Sequence, residues 1–126
     1  MREYVYDFLD GTPVEVEISF EEPTEPIEMG QQLRRNVFLV VKETLNNTIK
    51  HAQATEVMLT FSLNQHKAVL SITDNGIGFD TTSTRRFGNG LANMSKRLSA
   101  VGASYEINST LGSGTQTKLT WEIGNT

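Results

Sequence analysis

The sequence predicts an α+β fold: a two-layer sandwich in which a mixed sheet is covered on one face by helices. Three observations point there. Residues 31–52 repeat apolar side chains at helical spacing. Residues 91–101 do the same over a shorter stretch. Five segments, residues 14–20, 56–63, 67–73, 104–109 and 115–123, are strand-length and bounded by turn residues or loops. An amphipathic helix has one apolar stripe to bury, and an apolar sheet face is the partner this chain offers.

The bulk properties narrow the function classes. A chain of 126 residues is long enough for a single domain, residues 1–126, with its own core. Hydrophobic residues at 37% and charged residues at 21% give an ordinary globular composition rather than a disordered one. A net charge of -4 and an isoelectric point near 5.1 argue against direct nucleic-acid binding. The chain has no cysteine, which excludes disulfides, thiolate catalysis and cysteine-ligated metals and fits a reducing, cytoplasmic setting. Two histidines, His51 and His66, are too few for a histidine-rich metal site. No apolar run is long enough to span a bilayer, and no signal-peptide pattern is present.

Taken in order, residues 2–9 are short and aromatic, with Tyr4, Val5 and Phe8 on one side, and read as the end of a longer helix. Asp10-Gly11-Thr12-Pro13 is a turn. Residues 14–20 alternate Val14, Val16, Ile18 and Phe20 with Glu15, Glu17 and Ser19, the pattern of a half-buried strand. Residues 21–29 contain Pro23 and Pro26 and form a loop. The long helix follows. At about 100° per residue, Leu33, Val37, Val41, Leu45, Thr48, Ile49 and Ala52 make its core face. Val40, Glu43, Asn47, Lys50 and His51 gather on a second face. Residues 56–63 and 67–73 are strands joined at Asn64-Gln65-His66, with His66 a turn residue. Residues 74–80 form a glycine-containing loop, and polar loop continues to Arg86. In the second helix Leu91, Met94, Leu98 and Val101 face inward, and Gly102 stands where a helix-ending glycine belongs. Residues 111–114 turn the chain into the closing strand.

The second face of the long helix combines an acid, an amide, a cation and an imidazole at spacings i, i+4, i+7 and i+8, so the four can converge on one ligand. A solvated helix face is the plain alternative. Against it, Asn is a mediocre helix former, and the Asn46-Asn47 pair opposes local propensity. Asp74-Asn75-Gly76-Ile77-Gly78 follows a strand as a hairpin would, but no matching strand comes next. A dinucleotide-binding fold fits poorly, because no helix follows Gly76-Ile77-Gly78 at the required distance and position 81 is Thr. The lysine-bearing phosphate loop is absent too. Gly88-Asn89-Gly90 opens directly into a helix, whose first free amides favour anions, and Arg85 and Arg86 stand just before it.

Glu43-x-x-x-Asn47-x-x-Lys50-His51-Ala52, then Asp74-x-Gly76-x-Gly78, then Gly88-x-Gly90-Leu91, then Gly112-x-Gly114-Thr115, in that order, resemble the ATP-binding fold shared by gyrase, its heat-shock chaperone relative, histidine kinases and the mismatch-repair ATPase (the Bergerat fold). The short loop between Asp80 and Gly88, and the wording Lys-Glu-Thr-Leu-Asn-Asn-Thr-Ile-Lys-His-Ala, are similar to the catalytic domain of a two-component sensor histidine kinase of the nitrate- and desaturase-sensor group. The resemblance covers residues 33–121.

That resemblance implies ATP and Mg²⁺ as cofactors. Asn47 would ligate Mg²⁺ through its amide oxygen, and Glu43 would be the general base. Lys50 would meet phosphate charge, with His51 near the sugar or phosphates. Asp74 would accept from the adenine amino group, with Gly76 leaving room for the purine and Gly78 letting a lid hinge. Gly88 and Gly90 would present amides to the phosphates, Leu91 would complete that ATP-binding segment, and Thr115 would support Asp74 directly or through water. Asn46, about 100° from Asn47, is structural. The implied reaction passes the γ-phosphoryl group to a histidine on a dimerisation domain of the same parent protein, a homodimer, and thence to a response regulator. Neither His51 nor His66 has the setting of such an acceptor, so the acceptor is expected outside this chain, and residues 1–12 read as the stub of its dimerisation helix. This domain would be cytoplasmic, with a membrane anchor allowed elsewhere in the parent. Two alternatives share the fold: a serine kinase of the anti-sigma-factor type, and a nucleotide-gated binding module without chemistry. Glu43 argues against the module, because a pure sensor has no use for a base.

Overall fold

The computed structural model describes residues 14–20, 30–49, 54–64, 66–77, 88–110 and 112–123. Five strands and two helices appear in the order β1 (Glu15–Phe20), α1 (Gln31–Asn47), β2 (Glu56–Asn64), β3 (Lys67–Asp74), α2 (Gly88–Ser99), β4 (Ala103–Ser109) and β5 (Thr115–Glu122). The strands form one mixed sheet in the order β1-β2-β3-β5-β4. β1 and β2 run parallel, with α1 as the crossover between them, and every other neighbouring pair is antiparallel. This is the two-layer α+β arrangement expected.

Alternation along the strands sorts the sheet into two faces. Register aligns Leu59 with Ile72, Leu70 with Leu119 and Ala68 with Trp121, so these side chains share the covered face, where all are buried. The opposite face carries exposed Glu15, Glu17, Lys67, Thr73 and Glu106. Each leucine-sized side chain taken fully out of water stabilises by roughly 1.5–3 kcal/mol before chain entropy is counted.

α1 owes little to its ends. Gly30 at the N-cap makes no side-chain capping bond, no acid stands in the first turn and no base in the last. Packing therefore holds it. Val37, Val40, Val41, Thr44 and Leu45 are buried, with Leu33 half-buried. Val40 corrects the expectation that grouped it with Glu43 and Asn47: it is 0% exposed and belongs to the core. A helix lying across a sheet buries a stripe wide enough to take in positions 37, 40, 41, 44, 45 and 48, and Val40 lies within it. Thr44 and Thr48 survive burial by donating their hydroxyls to the carbonyls one turn back, Val40 O at 2.8 Å and Thr44 O at 3.0 Å. The helix is α-helical only to Asn47, and Thr48 and Ile49 widen into a π turn. Residues 50–53, including the expected helical end at Ala52, lie outside the described residues, as do residues 1–13 and their expected helix stub.

α2 packs against β4 and α1, burying Met94 and Leu98. It begins at Gly88, three residues before the expected start, so Gly88, Asn89 and Gly90 are its first turn rather than a lead-in. Glycine gains least from a helix, which is why composition alone places the boundary later. At the other end Lys96 and Arg97 sit in the last turn, where cations offset the helix dipole. Gly102 takes φ +81°, and its amide bonds the Ser99 carbonyl, closing the helix as its residue type suggests.

Candidate functional site

Asp74 ends β3, the central strand, paired with Val57 on one side and Thr115 on the other. The alternation of β3 turns it toward the helix layer and leaves it buried. One carboxylate oxygen, Oδ1, accepts from the Gly76 amide at 2.8 Å, the local side-chain-to-backbone turn that Asp favours. The other, Oδ2, lies 3.5 Å from the Thr48 hydroxyl. That contact is long, and the Thr48 proton also faces Thr44 O at 3.0 Å, so Oδ2, with two lone pairs, keeps acceptor capacity. Burial raises the carboxyl above its ordinary value of 3.8, with bonds from the Gly76 amide, the Thr48 hydroxyl and the Thr115 amide pulling it back. A buried acid at a strand end with an under-used oxygen is suited to accept from a donor brought by a ligand.

The backbone around this carboxylate is clamped from two sides. Asn75 Oδ1 accepts from the amides of Thr55 and Glu56, both at 2.9 Å, while its Nδ2 donates to the Thr55 hydroxyl at 2.9 Å. One side chain thus ties the end of β3 to the start of β2. On the other side the turn between β4 and β5 leans on the same loop: the Gly112 amide donates to the Ile77 carbonyl. Gly112 and Gly114 both have positive φ, +83° and +85°. A side chain at Gly114 would overlap the Asp74 carbonyl oxygen. Next to it, the hydroxyls of Ser109 and Thr115 are 2.8 Å apart, and Ser109 Oγ also donates to Gly114 O at 3.1 Å. A cleft of about 170 Å³ opens at this end of the sheet, lined from both faces, by Asp74, Ser109 and Thr115 on one side and Thr73, Asn108 and Gln116 on the other.

The remaining expected site residues divide clearly. Glu43 is exposed and Asn47 half-buried, one turn apart on α1, in the helix whose end brings Thr48 to Asp74. Gly76 is buried beside Asp74 and supplies the amide just described. Gly88, Gly90 and Leu91 lie in the first turn of α2, at its N-terminal end. Lys50, His51 and Gly78 lie outside the described residues. No helix among the described residues is long and apolar enough to cross a membrane.

Sequence reasoning passes over three residues that shape this site. Thr48 reads as core only. Asn75 reads as the first half of a hairpin Asn-Gly. Ser109 reads as an ordinary strand end. Only the Asn carried a signal in sequence, because an Asn-Gly without a returning strand needs another use for its amide.

Comparison with known proteins bears on the family and the fold. A family model described as "Histidine kinase-, DNA gyrase B-, and HSP90-like ATPase" matches residues 32–125. The chain is 34% identical over 98 residues to an uncharacterized sensor-like histidine kinase of Chloroflexus aurantiacus, a match covering 73% of this chain and 16% of that protein. It is 25% identical over 119 residues to the sensor histidine kinase LiaS of Bacillus subtilis, covering 94% of this chain and 32% of that one. Among solved structures, the histidine kinase AdeS of Acinetobacter baumannii matches with a TM-score of 0.76 at 19% identity, over 98% of this chain and 61% of that chain. Full-length ShkA in complex with AMPPNP matches at 0.73 and 21% identity, over 98% of this chain and 29% of that chain. The chain therefore spans a third or less of the length of these two curated relatives.

Proposed function

This chain belongs to the histidine kinase-, DNA gyrase B- and HSP90-like ATPase family, as the ATP-binding domain of a histidine kinase, and from that premise we propose that it binds Mg·ATP with Asp74 reading the adenine and passes the γ-phosphoryl group to a histidine outside these 126 residues. The observation that carries the reading is the Asp74 carboxylate: buried, anchored through Oδ1, and retaining acceptor capacity on Oδ2. An acceptor there matches the 6-amino group of adenine and opposes the 6-oxo group of guanine.

The donor set on α1 fits a metal-bridged triphosphate. Asn47 offers a neutral amide oxygen, half-buried, on the turn that leads to Thr48 and Asp74. Mg²⁺ held there would neutralise phosphate charge while keeping most of its waters. The first turn of α2, with Gly88 and Gly90, would turn its backbone amides and the positive end of the helix dipole to the phosphates. Lys50 and His51 would contribute from the continuation of the Glu43–Asn47 stripe, and Gly78 would serve as the lid hinge. Leu91 and Thr115 complete the ATP-binding set.

Glu43 is exposed, as a group that must reach a second molecule has to be. The acceptor imidazole nitrogen attacks the γ-phosphorus. The bond to the β–γ bridging oxygen breaks, ADP leaves with that electron pair, and the imidazole proton passes to Glu43. Phosphoryl transfer depends mainly on positioning and charge stabilisation, so a base there adds to a geometry already set by ATP binding. His66 is exposed at the β2–β3 turn, its carbonyl bonded to the Ile123 amide, at the opposite end of β3 from Asp74. It is no acceptor. The acceptor would lie on a dimerisation domain of a homodimeric parent, with a response regulator receiving the phosphate next.

The test is transfer in trans. With ATP and Mg²⁺ alone the chain should label itself negligibly. Adding a separate fragment that carries the parent's dimerisation helices should give acid-labile phosphate on that fragment, slowly and in proportion to concentration because the tether is lost. Glu43→Gln should leave ATP affinity nearly unchanged and cut transfer by roughly 10²–10⁴-fold. Robust self-labelling, or acid-stable phosphate on an added serine substrate, would contradict the proposal.

A further inference from the structure

We propose that Asn75, although it directly follows Asp74, is a positioning residue for the phosphate side of the site: its side chain pins the connection between α1 and β2, and with it the groups that meet the triphosphate. The inference rests on the proposed reading of the site, with adenine at Asp74 and phosphates at the end of α1.

Alternation along β3 turns Asp74 toward the helix layer, while Asn75, the next residue, is exposed. The Asn75 side chain reaches across to the start of β2. The amides of Thr55 and Glu56 both donate to Oδ1 at 2.9 Å, which fixes the end of the side-chain amide that carries the oxygen. Nδ2 donates to the Thr55 hydroxyl at 2.9 Å. The Thr55 carbonyl in turn accepts from the Glu15 amide of β1 at 2.8 Å. Thr55 is thus held through its amide and hydroxyl by Asn75 and through its carbonyl by β1. It closes the connection from α1, in which only residues 50–53 separate Ile49 from Ala54. Lys50 and His51 stand in that connection.

The base side stands without this side chain. The Gly76 amide holds Asp74 Oδ1, Gly114 backs the Asp74 carbonyl, and the Gly112 amide holds the Ile77 carbonyl. None of these contacts uses the Asn75 side chain. Its loss therefore leaves the adenine acceptor in place and frees the α1–β2 connection at one end. A short connection released at one end regains backbone freedom, and a ligand that needs it ordered must remove that freedom again on binding. ATP makes that demand through its phosphates, and adenosine does not. The bonds of the Asn75 side chain lie at the surface, so water replaces them and the fold survives.

The experiment titrates the wild-type chain, Asn75→Ala and Asn75→Asp with Mg·ATP by calorimetry, and with adenosine and guanosine by NMR. Asn75→Ala should weaken ATP by about tenfold, the net scale of a hydrogen bond or two, and leave adenosine within about twofold of wild type. Asn75→Asp offers carboxylate oxygens to the same two amides and takes the Thr55 hydroxyl as a donor, so it should recover most of the ATP affinity. Loss of ATP and adenosine by one common factor overturns the inference, because Asn75 then holds the base side or the fold as a whole. Unchanged ATP affinity in the alanine chain overturns it too, as does an aspartate chain that folds and binds ATP no better than the alanine chain. A wild-type chain that binds guanosine as well as adenosine removes the adenine reading itself, and the inference with it. Circular dichroism shows whether each variant folds. If the alanine chain does not, Asn75→Gln takes its place, with the same amide carried one methylene too far: weakened ATP with adenosine held supports the inference, and any other pattern overturns it.

Discussion

Gly114 and Asp74 meet backbone to backbone: a Cβ on Gly114 would overlap the Asp74 carbonyl oxygen and press on its carbonyl carbon at 3.3 Å. The β4–β5 turn is therefore part of the wall that holds the buried carboxylate in place. Gly114→Ala should move Asp74 as well as strain the turn.

Gly102 supplies the control. Its φ of +81° matches the +85° of Gly114, but nothing lies within 4 Å of a Cβ built there. Gly102→Ala should cost only the left-handed backbone penalty, about 1–2 kcal/mol. Gly114→Ala should cost more, roughly 2–4 kcal/mol, and reduce ATP affinity beyond what stability explains. Chemical denaturation and ATP titration of the two variants check this. Equal costs would mean the contact with Asp74 is readily relieved.

The buried carboxylate has a measurable effect on stability. Burial raises the Asp74 pKa in the folded chain above 3.8. Between the unfolded and the raised folded value the native state holds a proton that the unfolded state has released. Stability of the free chain therefore falls as pH rises through that window and stays reduced above it. Asp74→Asn removes the titrating group and keeps the shape. Its melting temperature should exceed that of the wild type at pH 7, and the gap should close as pH falls toward 3.8. A gap that widens on acidification would show the carboxylate to be net stabilised.

Tyr105 has the same sign at the alkaline end. Burial on β4 pushes its phenol from 10.0 up to about 12. Between those values the folded chain keeps a proton that the unfolded chain loses, so stability should decline there as pH rises. Tyr105→Phe should abolish that part of the decline. An unchanged alkaline limb in thermal melts would place the titration elsewhere.

Asn47→Ala separates metal binding from helix structure. Alanine is the better helix former by a few tenths of a kcal/mol, so the variant should be at least as stable as the wild type. Affinity for Mg·ATP should fall by roughly tenfold or more, while affinity for metal-free ATP changes little. An equal loss for both, or lowered stability, would make Asn47 a structural residue.

Much of the architecture was legible in periodicity, because alternation in the strands and the stripes of α1 and α2 reflect burial directly. Val16 and Ile18 alternate with exposed Glu15 and Glu17, and β1 is a strand with that polarity. Val40 was not legible, since one helix read alone does not reveal how wide a stripe the sheet covers. The start of α2 at Gly88 was hidden because Gly-Asn-Gly opposes helix propensity. In the site, residue types announced Glu43 and Asn47 as candidates, and Asp74 entered through the family resemblance. The contacts of Ser109 and Thr48 were silent, because each depends on a partner at least five residues away, at 114 and 115 and at 74. Nothing in the spacing of one strand shows what a neighbouring turn will bring against it.

The central claim is that the Asp74 carboxylate reads the base, and calorimetric titration of the wild-type chain and Asp74→Asn with ATP and with GTP tests it most directly. The account predicts clear binding of ATP over GTP by the wild-type chain. It predicts a loss of at least about 100-fold in ATP affinity for the variant, because a charge-assisted bond is lost and a donor is turned toward the adenine amino group, with the fold intact by circular dichroism. Equal affinity for the two nucleotides, or a variant that binds ATP as tightly as the wild type, would contradict it.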